Sequence, residues 1–205
     1  MGNIIIDKVF IFIYKLFNRD KKAIQSYGEI MCVSCNEIDI LNKAKQDKIE
    51  KGNIDIVQLA KSCNIKVIGK ELEHDESAYI CYNSNTNNFS IYVNPNHCKE
   101  RQRFSIAHEL AHFILHNDKV REFGQVDRQG NYSLSKDEED AADCLAANIL
   151  MPNDLVCEHL SKLNINDKTN NISESVVQAI AHEFNVSFYA SITKIRSLGF
   201  YVRYM

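Results

Sequence analysis

The chain has 205 residues, enough for one ordinary domain or one domain with extensions, and its 45% hydrophobic content supports a normal core. A formal net charge of -3 excludes a broad cationic footprint for nucleic acid. The seven cysteines are scattered. Cys32 and Cys35 form a single Cys-x-x-Cys without a second pair for a four-ligand zinc site, so the thiols are read as reduced and the protein as cytoplasmic.

The chain opens on an apolar run, Ile4 to Phe17, followed by the basic cluster Arg19, Lys21 and Lys22. The run is too short to span a bilayer, is interrupted by Asp7, Lys8 and Lys15, and has neither the basic start nor the cleavage site of a signal peptide. Residues 1–35 are read as an N-terminal extension, a helix packed on the domain or on a partner; attachment to a membrane surface is the alternative.

Asn36 to Lys51 patterns as a charged amphipathic helix, and Asn53 and Asp55 can both cap a second, Ile56 to Cys63, which ends at Asn64. Ile65 to Ile68 is a short β-branched strand. Ala78 to Tyr82 and Phe89 to Val93 form a hairpin around an Asn/Ser-rich loop. After Asn94-Pro95-Asn96, with Asn96 as candidate N-cap, a helix runs to about His116. Residues 117–135 read as a long polar surface loop. Asp137 to Leu150 is an apolar-faced helix stopped by Pro152, and Asp154 to Leu163 is a shorter one. Two last helices are expected over Glu174 to Phe184 and Phe188 to Leu198. They resemble a helix-turn-helix, but Lys194, Arg196 and Arg203 are few basic residues, so the pair is read as packing on the core.

The chemistry lies in His108-Glu109-Leu110-Ala111-His112. Histidines four apart on a helix share a face and can reach one metal ion; Glu109, at the edge of that face, can deprotonate water held there. Leu110, Ala111, Phe113, Ile114 and Leu115 make the helix apolar, and polar groups buried in it are costly unless something satisfies them. A catalytic zinc ion takes three protein ligands. His116 is awkward as the third, being on the same helix, and suits a capping or orienting role. Asp118 needs a sharp turn at position 115, where Leu115 replaces the glycine that turn requires. Glu139 on the next helix is the preferred candidate and Glu138 its competitor. Asp143, one turn beyond Glu139, can accept the free ring N–H of a liganding histidine.

Two blocks carry a specific resemblance. Glu100-Arg101-Gln102-Arg103-Phe104-Ser105-Ile106-Ala107 leads into the histidine motif and Phe113-Ile114-Leu115-His116 follows it. The second block is Glu139, Ala142, Asp143, Leu145, Ala146, Ala147 and Ile149-Leu150-Met151-Pro152. Together they are similar to the ImmA/IrrE family of zinc-dependent metallopeptidases, over roughly residues 50 to 200. The family more often has Asn at Asp143 and Phe at Leu145. The resemblance implies an α+β, zincin-like fold: a small, mostly antiparallel sheet on an active-site helix, with further C-terminal helices. The catalytic domain is assigned to residues 36–163 and the C-terminal helical segment to 164–205. One Zn2+ on His108, His112 and Glu139, with Glu109 as general base, gives a gluzincin-like endopeptidase. The implied substrate is a protein, by family precedent a helix-turn-helix repressor. Tyr79, Tyr82, Tyr92 and His116 are unranked candidates for oxyanion donor. The strand Phe89 to Val93 is taken as an edge available to an extended substrate. The reading from a different class is a metal-stabilised regulatory protein that does not cleave.

Overall fold

A computed structural model describes residues 36–73, 76–126, 134–165 and 171–202. The N-terminal extension with Cys32 and Cys35, the loop positions Gly130 and Asn131, and Arg203 lie outside the described residues. Among the described residues, no helix is long and apolar enough to cross a membrane.

The order of elements is α1 (Glu37–Lys51), α2 (Ile56–Ser62), β1 (Ile65–Gly69), β2 (Ala78–Asn83), β3 (Asn88–Val93), α3 (Lys99–Phe123), β4 (Gln125–Val126), α4 (Lys136–Leu150), α5 (Asn153–Lys162), β5 (Asn171–Ile172), α6 (Glu174–Phe184), α7 (Phe188–Ser197) and β6 (Tyr201–Val202). Helix and strand are mixed in an α+β arrangement. Short polar residues set most boundaries. Asn36 caps α1 by accepting from Asp39 N, and Gly52, at φ 69°, ends it with its N–H on Lys48 O. Asp55 caps α2 through Val57 N and Gln58 N. In the hairpin, Asn83 Oδ1 accepts from the backbone N–H groups of Asn85 and Thr86, and Asn87 takes the left-handed conformation. At the start of α3 the expected cap fails. Asn96 instead donates its backbone N–H to Asn94 Oδ1, and the helix begins three residues later behind Cys98.

The main sheet has the order β1-β3-β2-β4. Its β2–β3 and β2–β4 pairs are antiparallel, whereas β1 runs parallel to β3. This corrects one expectation: β3 is not an edge, because β1 and β2 occupy both of its sides. A hairpin leaves one strand outermost only if nothing inserts beside it, and β1, arriving from earlier in the chain, does so. Ile80 and Ile91 face each other across β2 and β3, fully buried. Phe89, of the same parity as Ile91, meets Phe113 of α3 edge-on, with ring centroids 4.9 Å apart. The sheet is thereby fixed against the histidine-bearing helix.

A second correction concerns residues 117–123. They are helical rather than looped, and continue α3 beyond a break at His116, whose φ of -129° and ψ of 27° leave the helical region. Arg121 holds this extension: its guanidinium lies over Tyr82 and Phe89 and donates to Asn87 Oδ1 at 3.0 Å. α4 lies against α3 with Ala142, Leu145, Ala146 and Ile149 buried. Val177, Ile180 and Phe184 of α6 and Ile192 and Ile195 of α7 join the same core. Lys194 is buried with them and donates to Asn148 and Asn153, so of Lys194 and Arg196 only Arg196 is exposed.

Candidate metal centre

The site forms where α3 and α4 run side by side. The stretch 105–113 of α3 is buried on every face, and His108, Glu109 and His112 are 2%, 5% and 2% exposed. Arg103, one turn before the motif, anchors the helix by donating to Ile54 O and Asn185 O. α4 begins at a capping box, with Ser135 and Glu138 bonded to each other's backbone, which sets the start of the helix that carries Glu139.

Three groups converge. His108 Nε2 and His112 Nε2 are 2.8 Å apart. Glu139 Oε2 is 3.3 Å from His108 Nε2, and its Oε1 is 3.5 Å from His112 Nε2. His108, His112 and Glu139 could hold a metal ion, since their ligand atoms all lie within 4.8 Å of one another. Around a tetrahedral zinc with bonds of ~2.0–2.1 Å, ligand atoms stand about 3.3 Å apart. The observed separations bracket that spacing.

The outer nitrogens of both rings are engaged. His108 Nδ1 is 2.8 Å from Asp143 Oδ1, and His112 Nδ1 is 3.1 Å from His116 Nδ1. When each ring directs its Nδ1–H to that partner, both Nε2 atoms present lone pairs to the same point. Two lone pairs at 2.8 Å repel unless a cation or proton lies between them. Two imidazoles and one carboxylate are also the donor types zinc takes, so the residues fit the ion.

Electrostatics distinguish the neighbours. Burial alone would raise the Glu139 carboxyl, but hydrogen bonds and charge from His108 and His112 reverse this and hold it well below the usual carboxylate range. Glu138, the competing candidate, is occupied elsewhere. Burial is the largest single influence and raises it, but hydrogen bonds from Lys119 and Ser135 and the charge of Lys119 together outweigh burial and bring it down to about 2. His116 is lowered to about 4, first by burial and then by His112 beside it, and so is a neutral acceptor at pH 7.

The oxyanion candidates now separate. Tyr79 and Tyr92 are paired across β2 and β3 at positions of opposite parity to Phe89 and Ile91, so they stand on the sheet face turned away from α3. Tyr79 there bonds Lys70. Tyr82 shares the α3 side but bonds Asn87 at 2.8 Å. His116 touches His112, with the two Nδ1 atoms 3.1 Å apart. Sequence reasoning missed the ion pair Lys119–Glu138, although Ser135-x-x-Glu138 is a legible capping signature.

No curated protein matches the chain. Among solved structures, a Mycobacterium tuberculosis transcriptional regulator is similar at 16% identity and a TM-score of 0.48, covering 77% of this chain and 46% of that one. This chain therefore spans less than half the length of that relative. The model of the IrrE N-terminal-like domain, Peptidase_M78, matches residues 60–195, a span that contains α3, α4 and every residue of the metal cluster. A match over most of the chain, laid on this His-His-Glu arrangement, makes the protein a member of the ImmA/IrrE peptidase family.

Proposed function

We propose that the protein is a zinc-dependent endopeptidase with a zincin-like, gluzincin-type centre: His108, His112 and Glu139 as ligands and Glu109 as general base. The observation that carries this reading is the convergence of the three ligand groups beside a buried glutamate on one helix. When bound, zinc supplies a Lewis acid that acidifies water and polarises a scissile carbonyl. The Glu109 carboxylate accepts the proton from the attacking water and returns it to the leaving amine. Asp143 fixes the tautomer and orientation of His108, and His116 does the same for His112. Burial of the site limits bulk water, which strengthens each of these interactions.

Membership of a peptidase family supports a protein substrate, and we assign it to the class of helix-turn-helix repressors or similar regulatory proteins. With β3 enclosed, an extended substrate cannot pair with it. Among the described residues, the strands at the sheet margins are β1 and β4. The test compares newly formed protein termini in cells producing the wild-type chain or Glu109→Gln. Glu109→Gln keeps zinc and loses cleavage by about two to four orders of magnitude. Equal cleavage by both proteins removes Glu109 from its role, and no new termini with either one favours a non-cleaving regulator.

A further inference from the structure

Glu138 and Glu139 are neighbours in the first turn of α4, yet they have different partners. Glu139 faces His108 and His112. Glu138 Oε2 accepts from Ser135 N at 3.0 Å and Ser135 Oγ at 2.9 Å, and its Oε1 accepts from Lys119 Nζ. Lys119 lies on α3 beyond the break at His116. The carboxylates of α4 thus meet α3 in antiparallel order: Glu138 with Lys119, Glu139 with His112 and His108, Asp143 with His108.

We propose that the Lys119–Glu138–Ser135 clasp is a positioning device for the third metal ligand, with Glu138 and Lys119 as positioning residues. This inference rests on the metal centre proposed above. Glu139 is the fourth residue of α4, so its Cα is placed by where the helix begins and by how that first turn is held against α3. Helix ends fray, because their outer backbone groups lack intrahelical partners. Ser135 fixes the start of the turn, and Lys119 ties it to the helix that supplies the other two ligands. With Lys119 and Glu138 side chains 46% and 23% exposed, the ion pair adds little to global stability. Its consequence falls on the residue next to it: releasing the first turn leaves two ligands where three are needed.

The test measures zinc affinity of the full chain by competition with a chromophoric chelator, alongside thermal unfolding of the metal-free protein. Lys119→Ala and Glu138→Gln each weaken zinc binding about 5- to 20-fold, toward the range for partners that orient metal ligands. Glutamine still completes a capping box, so a loss in Glu138→Gln reports the tie to Lys119 rather than the cap. The double variant is no weaker than either single one, Lys119→Arg restores affinity to within about twofold, and metal-free unfolding midpoints do not track the losses. Wild-type affinity in Lys119→Ala, or additive losses in the double variant, overturns the clasp while leaving the metal centre intact. Absence of tight zinc binding in the wild-type chain overturns the centre itself.

Discussion

Asp143 Oδ1 stands 2.8 Å from His108 Nδ1, one helical turn along α4 from Glu139, which faces the other nitrogen of the same ring. One helix thereby supplies both a candidate ligand and the acceptor that orients a second ligand. A carboxylate is not required for this, since a side-chain amide oxygen also accepts from an imidazole N–H. Asp143→Asn is expected to retain zinc affinity to within a few-fold, whereas Asp143→Ala loses about 10- to 100-fold, read by chelator competition. Equal affinity in the alanine variant would show that His108 needs no such partner.

His116 gives the metal-free protein a pH dependence with a defined sign. Its folded-state value is lowered to about 4, by burial and then by His112, from an ordinary value of 6.5. Between these values the unfolded chain binds a proton that the folded chain refuses. The associated stability is complete above about pH 6.5 and is lost as pH falls toward 4. Replacing His116 with alanine should flatten the fall of the unfolding midpoint across that window, measured without metal. The ring is only partly buried, so the difference will be smaller than an unscreened shift implies. Parallel midpoint curves for the two proteins would place the titration elsewhere.

The sequence revealed what depends on local spacing. His108 and His112 are four apart, Glu139 and Asp143 are four apart, and each pair does share one face of its helix. Asp55, one of the two caps offered for α2, was equally readable, because a cap is a contact within three residues. What remained hidden was non-local or depended on competition between similar residues. β3 reads like any hairpin strand, and only the arrival of β1 beside it makes it central. Asn96 has the chemistry of a cap, but Asn94 captures its backbone N–H first. Residues 117–123 look like a polar loop because their helical extension is secured by contacts distant in sequence, Arg121 to Tyr82, Phe89 and Asn87. The tie between Glu138 and Lys119, nineteen positions apart, was hidden for the same reason.

Lys194 tests how the C-terminal helices are held to the helix that bears Glu139. The side chain is 2% exposed and donates to Asn148 Oδ1 on α4 and Asn153 Oδ1 at the start of α5. Burial lowers its pKa to about 8, only weakly opposed by Cys144 and Cys157 nearby. From about pH 8 to 10.5 the folded chain has released a proton that the unfolded chain retains, so stability attributable to Lys194 rises with pH through that window. Lys194→Met fills similar space without a charge, and its amide partners, not fully buried, can turn to water. The variant should be within about 1 kcal/mol of wild type at pH 7, because replacing a buried charge by a hydrophobic side chain of similar volume is often neutral or stabilising. It should also lack the high-pH rise, on the order of 2–3 kcal/mol in the wild type. Urea unfolding of both proteins at several pH values from 7 to 10 makes the comparison, in a background with Cys144 and Cys157 replaced by serine because both thiols are coupled to Lys194. A difference independent of pH would mean that Asn148 and Asn153 keep Lys194 charged throughout, so that the junction is an ionic tether rather than a buried amine.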